Sequence, residues 1–84
     1  MTPPDWLTQR GGAFKPGPDG QTWYVILDGR PSYALCAVPA EGKFTCVIRQ
    51  TVNGKRLDGD GTHATADEAL SAGLNELRTK LGWG

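Results

Sequence analysis

The sequence lacks the features that mark several well-known classes of protein. Nine Lys and Arg balance nine Asp and Glu, so the chain has no net charge and no overall field to draw it to phosphate backbones or anionic lipid. Only two cysteines occur, Cys36 and Cys46, which are too few for a disulfide scaffold and lack the close spacing of a zinc site. The single histidine, His63, has no second imidazole with which to share a metal. We therefore expect two buried free thiols and neither a metal nor a cofactor.

Long apolar runs are also missing. No stretch approaches the roughly 18 apolar residues that cross a bilayer, and residues 1–10 lack the basic and apolar regions of a secretory signal. We therefore expect a cytoplasmic protein that does not enter membranes. With 84 residues the chain has room for one small core, so we predict a single small domain over residues 1–84.

No segment carries a full catalytic or ion-binding signature. The run from Asp58 to Thr62 resembles the start of a calcium loop, but Thr62 and Ala69 stand where that loop needs a third ligand and a glutamate. No serine or threonine lies in a motif that would make it a nucleophile for His63 to activate. We predict a protein that is not an enzyme.

Residues 1–20 are rich in proline and glycine and read as an extended arm without regular structure. A short turn of helix fits around Asp5 to Gln9, with Pro4 at its start. Three apolar side chains, Trp6, Leu7 and Phe14, interrupt this polar segment. We expect the arm to dock on the rest of the chain through them.

Apolar and polar residues alternate from Thr22 onward, which predicts an antiparallel sheet over residues 22–60. The Asn53-Gly54 pair is a strong signal for a two-residue hairpin turn. Longer loops around Gly29 and Gly42 separate the earlier strands. The four predicted strands are Thr22 to Asp28, Ser32 to Val38, Phe44 to Val52, and Lys55 to about Gly59.

These turns predict one strand register, because residues paired across an antiparallel ladder share a face. Val25 then pairs with Ala34, and Cys36 pairs with Cys46. The predicted core face holds Trp23, Val25, Leu27, Ala34, Cys36, Val38, Phe44, Cys46, Ile48, Val52 and Leu57.

A capping box predicts the start of a helix. The Thr65 hydroxyl is placed to accept the amide of Glu68, and Asp67 and Glu68 suit the positive end of the helix dipole. Apolar residues at helical spacing predict a helix over residues 66–81. Gly73 lies in the apolar stripe, so we expect the helix to approach a bulky sheet residue such as Trp23 or Phe44 there.

The predicted fold is α+β: an antiparallel meander of four strands, or three if the last does not form, with the C-terminal helix packed on one face and an extended N-terminal arm. This layout, with a helix that opens on Thr65, Glu68 and Ala69, resembles the DNA-binding domains of plant AP2 factors and the arm-binding domains of tyrosine recombinases. The resemblance implies DNA reading by an exposed sheet face.

The second face of the predicted sheet is the candidate binding surface, because it is too apolar for plain solvent exposure and too polar for a second core. Four coverings are open: the arm, a second copy of the chain, another protein, or a nucleic acid. We expect a protein partner or self-association, with a nucleic acid as the alternative. In that alternative Arg30, Arg49, Lys55 and Arg56 meet phosphate, and Tyr24 and Tyr33 stack. The predicted binding residues are Tyr24, Ile26, Tyr33, Leu35, Val47, Arg49 and Arg56.

Overall fold

The computed structural model describes residues 3–57 and 61–82. Its elements are α1 (Asp5–Thr8), β1 (Ala13–Pro16), β2 (Thr22–Leu27), β3 (Arg30–Ala40), β4 (Lys43–Gln50) and α2 (Ala66–Lys80). The strands form one antiparallel sheet in the order β1-β2-β3-β4. The α+β class and the four-stranded meander with a C-terminal helix are therefore confirmed. The calcium-like residues Asp58 and Asp60 lie outside the described residues.

Helix α2 begins as its capping box predicts. Thr65 has an extended backbone, and its side chain accepts a hydrogen bond from the Glu68 amide at 3.1 Å. Past the last turn, Gly82 has a φ of 74°, the left-handed conformation in which glycine commonly ends helices. The residues that α2 buries lie on one stripe: Ala69, Leu70, Gly73, Leu74 and Leu77.

The two central hairpins have tighter turns than predicted. Asp28 and Gly29 connect β2 to β3, and Glu41 and Gly42 connect β3 to β4. All four residues have positive φ, between 52° and 79°, as a type I′ turn requires. The predicted loops were longer, so β3 pairs with both neighbours in a different register.

This difference turns β3 over, because a slip of one residue moves every side chain to the opposite face. Val25 pairs with Tyr33 rather than Ala34, and Cys46 pairs with Ala37 rather than Cys36. A register shift between Val25 and Ile26 absorbs the extra residue of β3. The prediction that Ala34, Cys36 and Val38 face the core was wrong, and Tyr33, Leu35 and Ala37 take their places.

The fourth strand of the sheet comes from the arm. Residues 13–16 form β1 along β2, whereas the described part of the predicted strand from Lys55, residues 55–57, forms only an isolated bridge between Arg49 and Arg56. The turn before that bridge is wider than Asn53-Gly54 alone, since the Gly54 amide donates to the Gln50 carbonyl at 2.8 Å. The short helix expected near Asp5 is confirmed as α1.

The arm and α2 cover the same face of the sheet. Leu7 is fully buried, Phe14 is 4% exposed, and the Phe14 ring stacks on Trp23 with 4.9 Å between ring centroids. Leu7 and Phe14 belong to the same core cluster as the buried residues of α2. At Gly73, helix α2 lies against Cys46 rather than against Trp23 or Phe44. A Cβ added to Gly73 would lie 3.0 Å from the Cβ of Cys46.

Candidate functional site

The outer face of the sheet is formed by the strand residues that alternate with the core residues. We define it by side chains from all four strands together with the residue bridged to Arg49. Its members are Ala13, Lys15, Thr22, Tyr24, Ile26, Ala34, Cys36, Val38, Lys43, Thr45, Val47, Arg49 and Arg56.

None of the described elements covers this outer face. Helix α2 packs on β3 and β4 from the core side, and the arm reaches the same side through Leu7. The central outer residues, such as Ala34 and Cys36, are half-buried by their neighbours on the sheet, whereas Lys15 and Arg49 are exposed. The arm was the simplest of the expected coverings, but its apolar residues pack on the core side instead of on the outer face.

Five of the seven predicted binding residues lie on the outer face: Tyr24, Ile26, Val47, Arg49 and Arg56. The predicted outer-face position was wrong for Leu35, which is fully buried, and for Tyr33, which packs against the core from the other face. Both belong to β3 and turned inward with its register. The two-residue turns at Asp28-Gly29 and Glu41-Gly42 were the signal in the sequence that would have placed them correctly.

Charge is unevenly distributed between the two faces. Among the residues that the structure describes, the outer face carries four cations, Lys15, Lys43, Arg49 and Arg56, and no Asp or Glu. The described acidic residues lie in the turns, the loop before β2 and the helices. A chain with no net charge therefore presents a cationic sheet face. Sequence reasoning missed Lys15 and Lys43 because it placed them in the arm and in a loop.

One row of outer-face residues crosses the sheet. Successive pairings place Lys15 beside Tyr24, Tyr24 beside Ala34, Ala34 beside Arg49, and Arg49 beside Arg56. One guanidinium nitrogen of Arg49 donates to the Gly54 carbonyl at 3.4 Å. The row thus has cations at both ends, with the ring of Tyr24 and the small side chain of Ala34 between them.

The aromatic ring in this row is held in place by a glycine. A Cβ added to Gly17 would lie 2.7 Å from Cε2 of Tyr24, so the ring lies directly against the Gly17 backbone. The Gly17 amide also donates to the Thr22 carbonyl at 2.7 Å, which continues the ladder beyond β1. Tyr24 is thus fixed on the outer face by the chain around it.

The edges of the sheet offer less to a partner than the face does. Phe44 exchanges two backbone hydrogen bonds with His63, at 2.8 and 2.7 Å, and the Thr45 hydroxyl donates to the Gly61 carbonyl at 2.8 Å. These contacts occupy the free side of β4. On the opposite edge β1 is four residues long and ends in Pro16, which has no N–H to donate.

The two thiols lie on opposite sides of the sheet. Cys46 is 7% exposed beneath α2, and Cys36 is half-buried on the outer face beside Val47. Both are free, so the expectation of free thiols is confirmed, but only Cys46 is buried.

Within the described ranges, no three His, Cys, Asp or Glu side chains come together in a group that could hold a metal ion. No helix in that part of the chain is long and apolar enough to span a bilayer. No protein-family model, curated protein or solved structure matches the chain.

Proposed function

We propose that this protein is a non-enzymatic interaction module that binds nucleic acid through the outer face of its sheet. The observation that supports the proposal is the charge of that face, which has four cations and no carboxylate within residues 3–57 and 61–82. Lys and Arg side chains neutralise phosphates and release condensed counterions, which supplies most of non-specific nucleic-acid affinity.

The turned-over β3 favours nucleic acid over an apolar protein partner. The predicted apolar patch depended on Tyr33 and Leu35, and both lie in the core. Ala34 and Cys36 face outward in place of Tyr33 and Leu35. The outer face therefore lacks the aromatic ring and the large aliphatic side chain that it was predicted to have, which are of the kind that anchors protein interfaces. Tyr24 is the one aromatic residue left at a described outer-face position.

The same face can bring several contacts to one ligand. Arg49 and Arg56 are paired by a backbone bridge at the β4 edge, and Lys15 lies at the β1 edge. The Tyr24 ring between them offers an aromatic surface to an unpaired base. Half-buried Ala34 and Cys36 project little, so the ligand backbone can approach the sheet closely.

Binding of fluorescently labelled DNA and RNA oligonucleotides, single-stranded and duplex, tests this proposal by anisotropy between 50 and 200 mM salt. We expect affinity to fall steeply with salt. Arg49→Ala should weaken binding and reduce the slope of log K against log salt by about 1, since one phosphate contact is lost. The matched control is Lys80→Ala, which removes one exposed cation from the last turn of α2 on the opposite layer.

The Lys80→Ala control distinguishes binding at the outer face from attraction of the oligonucleotide to any exposed cation of the protein. Equal loss of affinity in Lys80→Ala and Arg49→Ala would contradict binding at the outer face. Absence of oligonucleotide binding at 50 mM salt, together with concentration-dependent sedimentation that salt does not change, would instead indicate self-association through an apolar contact.

A further inference from the structure

A groove opens on the core side of the sheet, at the end where β2 and β4 begin. Its volume is about 440 Å³, and it is lined by Trp23, Ala37, Phe44, Leu70, Asp67 and Gln21, among others. It exists because α2 packs on β3 and β4 while Leu7 of the arm lies at the other end of β2, beside Leu27. The Trp23 end of the sheet therefore lacks a covering layer among the described elements.

The floor of this groove is aromatic. Trp23 and Phe44 both line it and both are half-buried. The stacked Phe14 ring supports Trp23. Tryptophan is the side chain whose ring face attracts cations most strongly, and groups of aromatic rings with a carboxylate are the usual recognition chemistry for ammonium groups.

The charge at the rim of the groove is negative. Of the described residues that line it, Asp67 is the one that is ionisable, and it is exposed in the first turn of α2. Asp19 stands next to the lining residue Gly20, and hydrogen bonds from the Thr22 and Gln21 amides hold the pKa of Asp19 below its ordinary value. The α2 dipole opposes a cation here, but Thr65 already binds the Glu68 amide, and the carboxylates of Asp67 and Glu68 offset the dipole.

We propose that this groove binds a small alkylammonium molecule, with its apolar groups against Trp23 and Phe44 and its charge near Asp67. The volume lies in the range of small-molecule sites, roughly 300–1,000 Å³. The site is independent of the proposed nucleic-acid face, since it lies on the opposite side of the sheet and has the opposite charge.

Three probes of nearly equal shape test this proposal: choline, its neutral isostere 3,3-dimethyl-1-butanol, and the anion 3,3-dimethylbutyrate. Each is titrated into ¹⁵N-labelled full-length protein, and amide shifts are followed by NMR. We expect choline to bind most tightly and the anion most weakly, with shifts at Gln21, Phe44 and Asp67. Asp67→Asn should weaken choline about threefold, the scale of a solvent-exposed charge interaction.

Phe44→Leu should also weaken choline about threefold, because an apolar side chain remains but its ring face is lost. The matched control is Glu68→Gln, which removes the neighbouring first-turn charge that does not line the groove and should leave choline affinity unchanged. Equal affinities for choline and the neutral isostere, shifts confined to other regions, or equal effects of Glu68→Gln and Asp67→Asn would each overturn the proposal. Amide spectra of each variant show whether it is folded.

Discussion

The two faces of the sheet differ in what they contribute to the protein. The core face carries the large apolar side chains, and Val25, Leu35 and Ile48 on it are completely buried. The outer face carries four cations among small residues, threonines, one tyrosine and three aliphatic side chains, and its strand residues are half-buried or exposed. Stability therefore depends mainly on one face, which leaves the other free to carry charge at little cost to folding.

The sharpest way to break this comparison is to place the same charge on both faces of β3. Leu35→Lys should leave the protein unfolded or destabilise it by at least about 3 kcal/mol, since it buries an unpaired cation in the core. Ala34→Lys, one residue away on the outer face, should cost less than about 1 kcal/mol. Urea unfolding followed by circular dichroism measures both.

If Ala34→Lys were less stable than Leu35→Lys, the register predicted from sequence, in which Ala34 faces the core, would be the correct one. Similar modest losses in both variants would mean that neither side of β3 is well packed, contrary to the complete burial of Leu35.

A smaller effect should follow from filling the contact between α2 and the core face. Gly73→Ala places a Cβ against Cys46 and the side chain of Leu35. Overpacking of this kind costs roughly 1–3 kcal/mol, from which the better helix propensity of alanine, about 1 kcal/mol, must be subtracted. We expect net destabilisation in thermal or urea melts.

Ser71→Ala serves as the control for helix propensity, because Ser71 is exposed on α2. That variant should be neutral or slightly stabilised. If Gly73→Ala were stabilised to a similar degree, α2 would not approach Cys46 as closely as the structure shows.

Labelling the two thiols tests the difference between the core face and the outer face without disturbing the fold. Cys36 on the outer face should react with a small thiol reagent in the native protein, whereas Cys46 should react only after opening of the core. Mass spectrometry of Cys36→Ser and Cys46→Ser variants assigns the rates. Equal protection of both thiols would indicate that Cys36 also faces a packed layer.

The sequence predicted best where the signal was local. The capping box at Thr65 placed the start of α2, and alternation placed the inward residues of β2 and β4 correctly. The exception is Val52, which was predicted to face the core but lies beyond the end of β4 and is 87% exposed. The prediction of which face of β3 points to the core failed, because the alternate positions on both sides of this strand are apolar. Tyr33 and Leu35 alternate with Ala34 and Cys36, so hydrophobicity alone does not choose the inward face.

The candidate site shows the same division. Tyr24, Ile26, Val47 and Arg49 were placed correctly because they lie on strands whose opposite face is clearly apolar. Lys15 was missed because β1 has few intrinsic strand signals and ends in proline. Its extended shape comes from pairing with β2 and from burial of Phe14 against Trp23.

By itself, the sequence determined the α+β class, the succession of β2, β3, β4 and the C-terminal helix, and the absence of net charge, because capping, turn chemistry and alternation act over a few neighbouring residues. Only the tertiary structure decided which face of β3 is buried and where the arm docks. Those choices depend on packing volume: the core accepts Leu35 beside Gly73 of α2, and Leu7 and Phe14 fill the space over β2 that α2 does not reach. The cationic outer face follows from that packing, since the side chains that the core excludes are the ones left on the opposite face of the sheet.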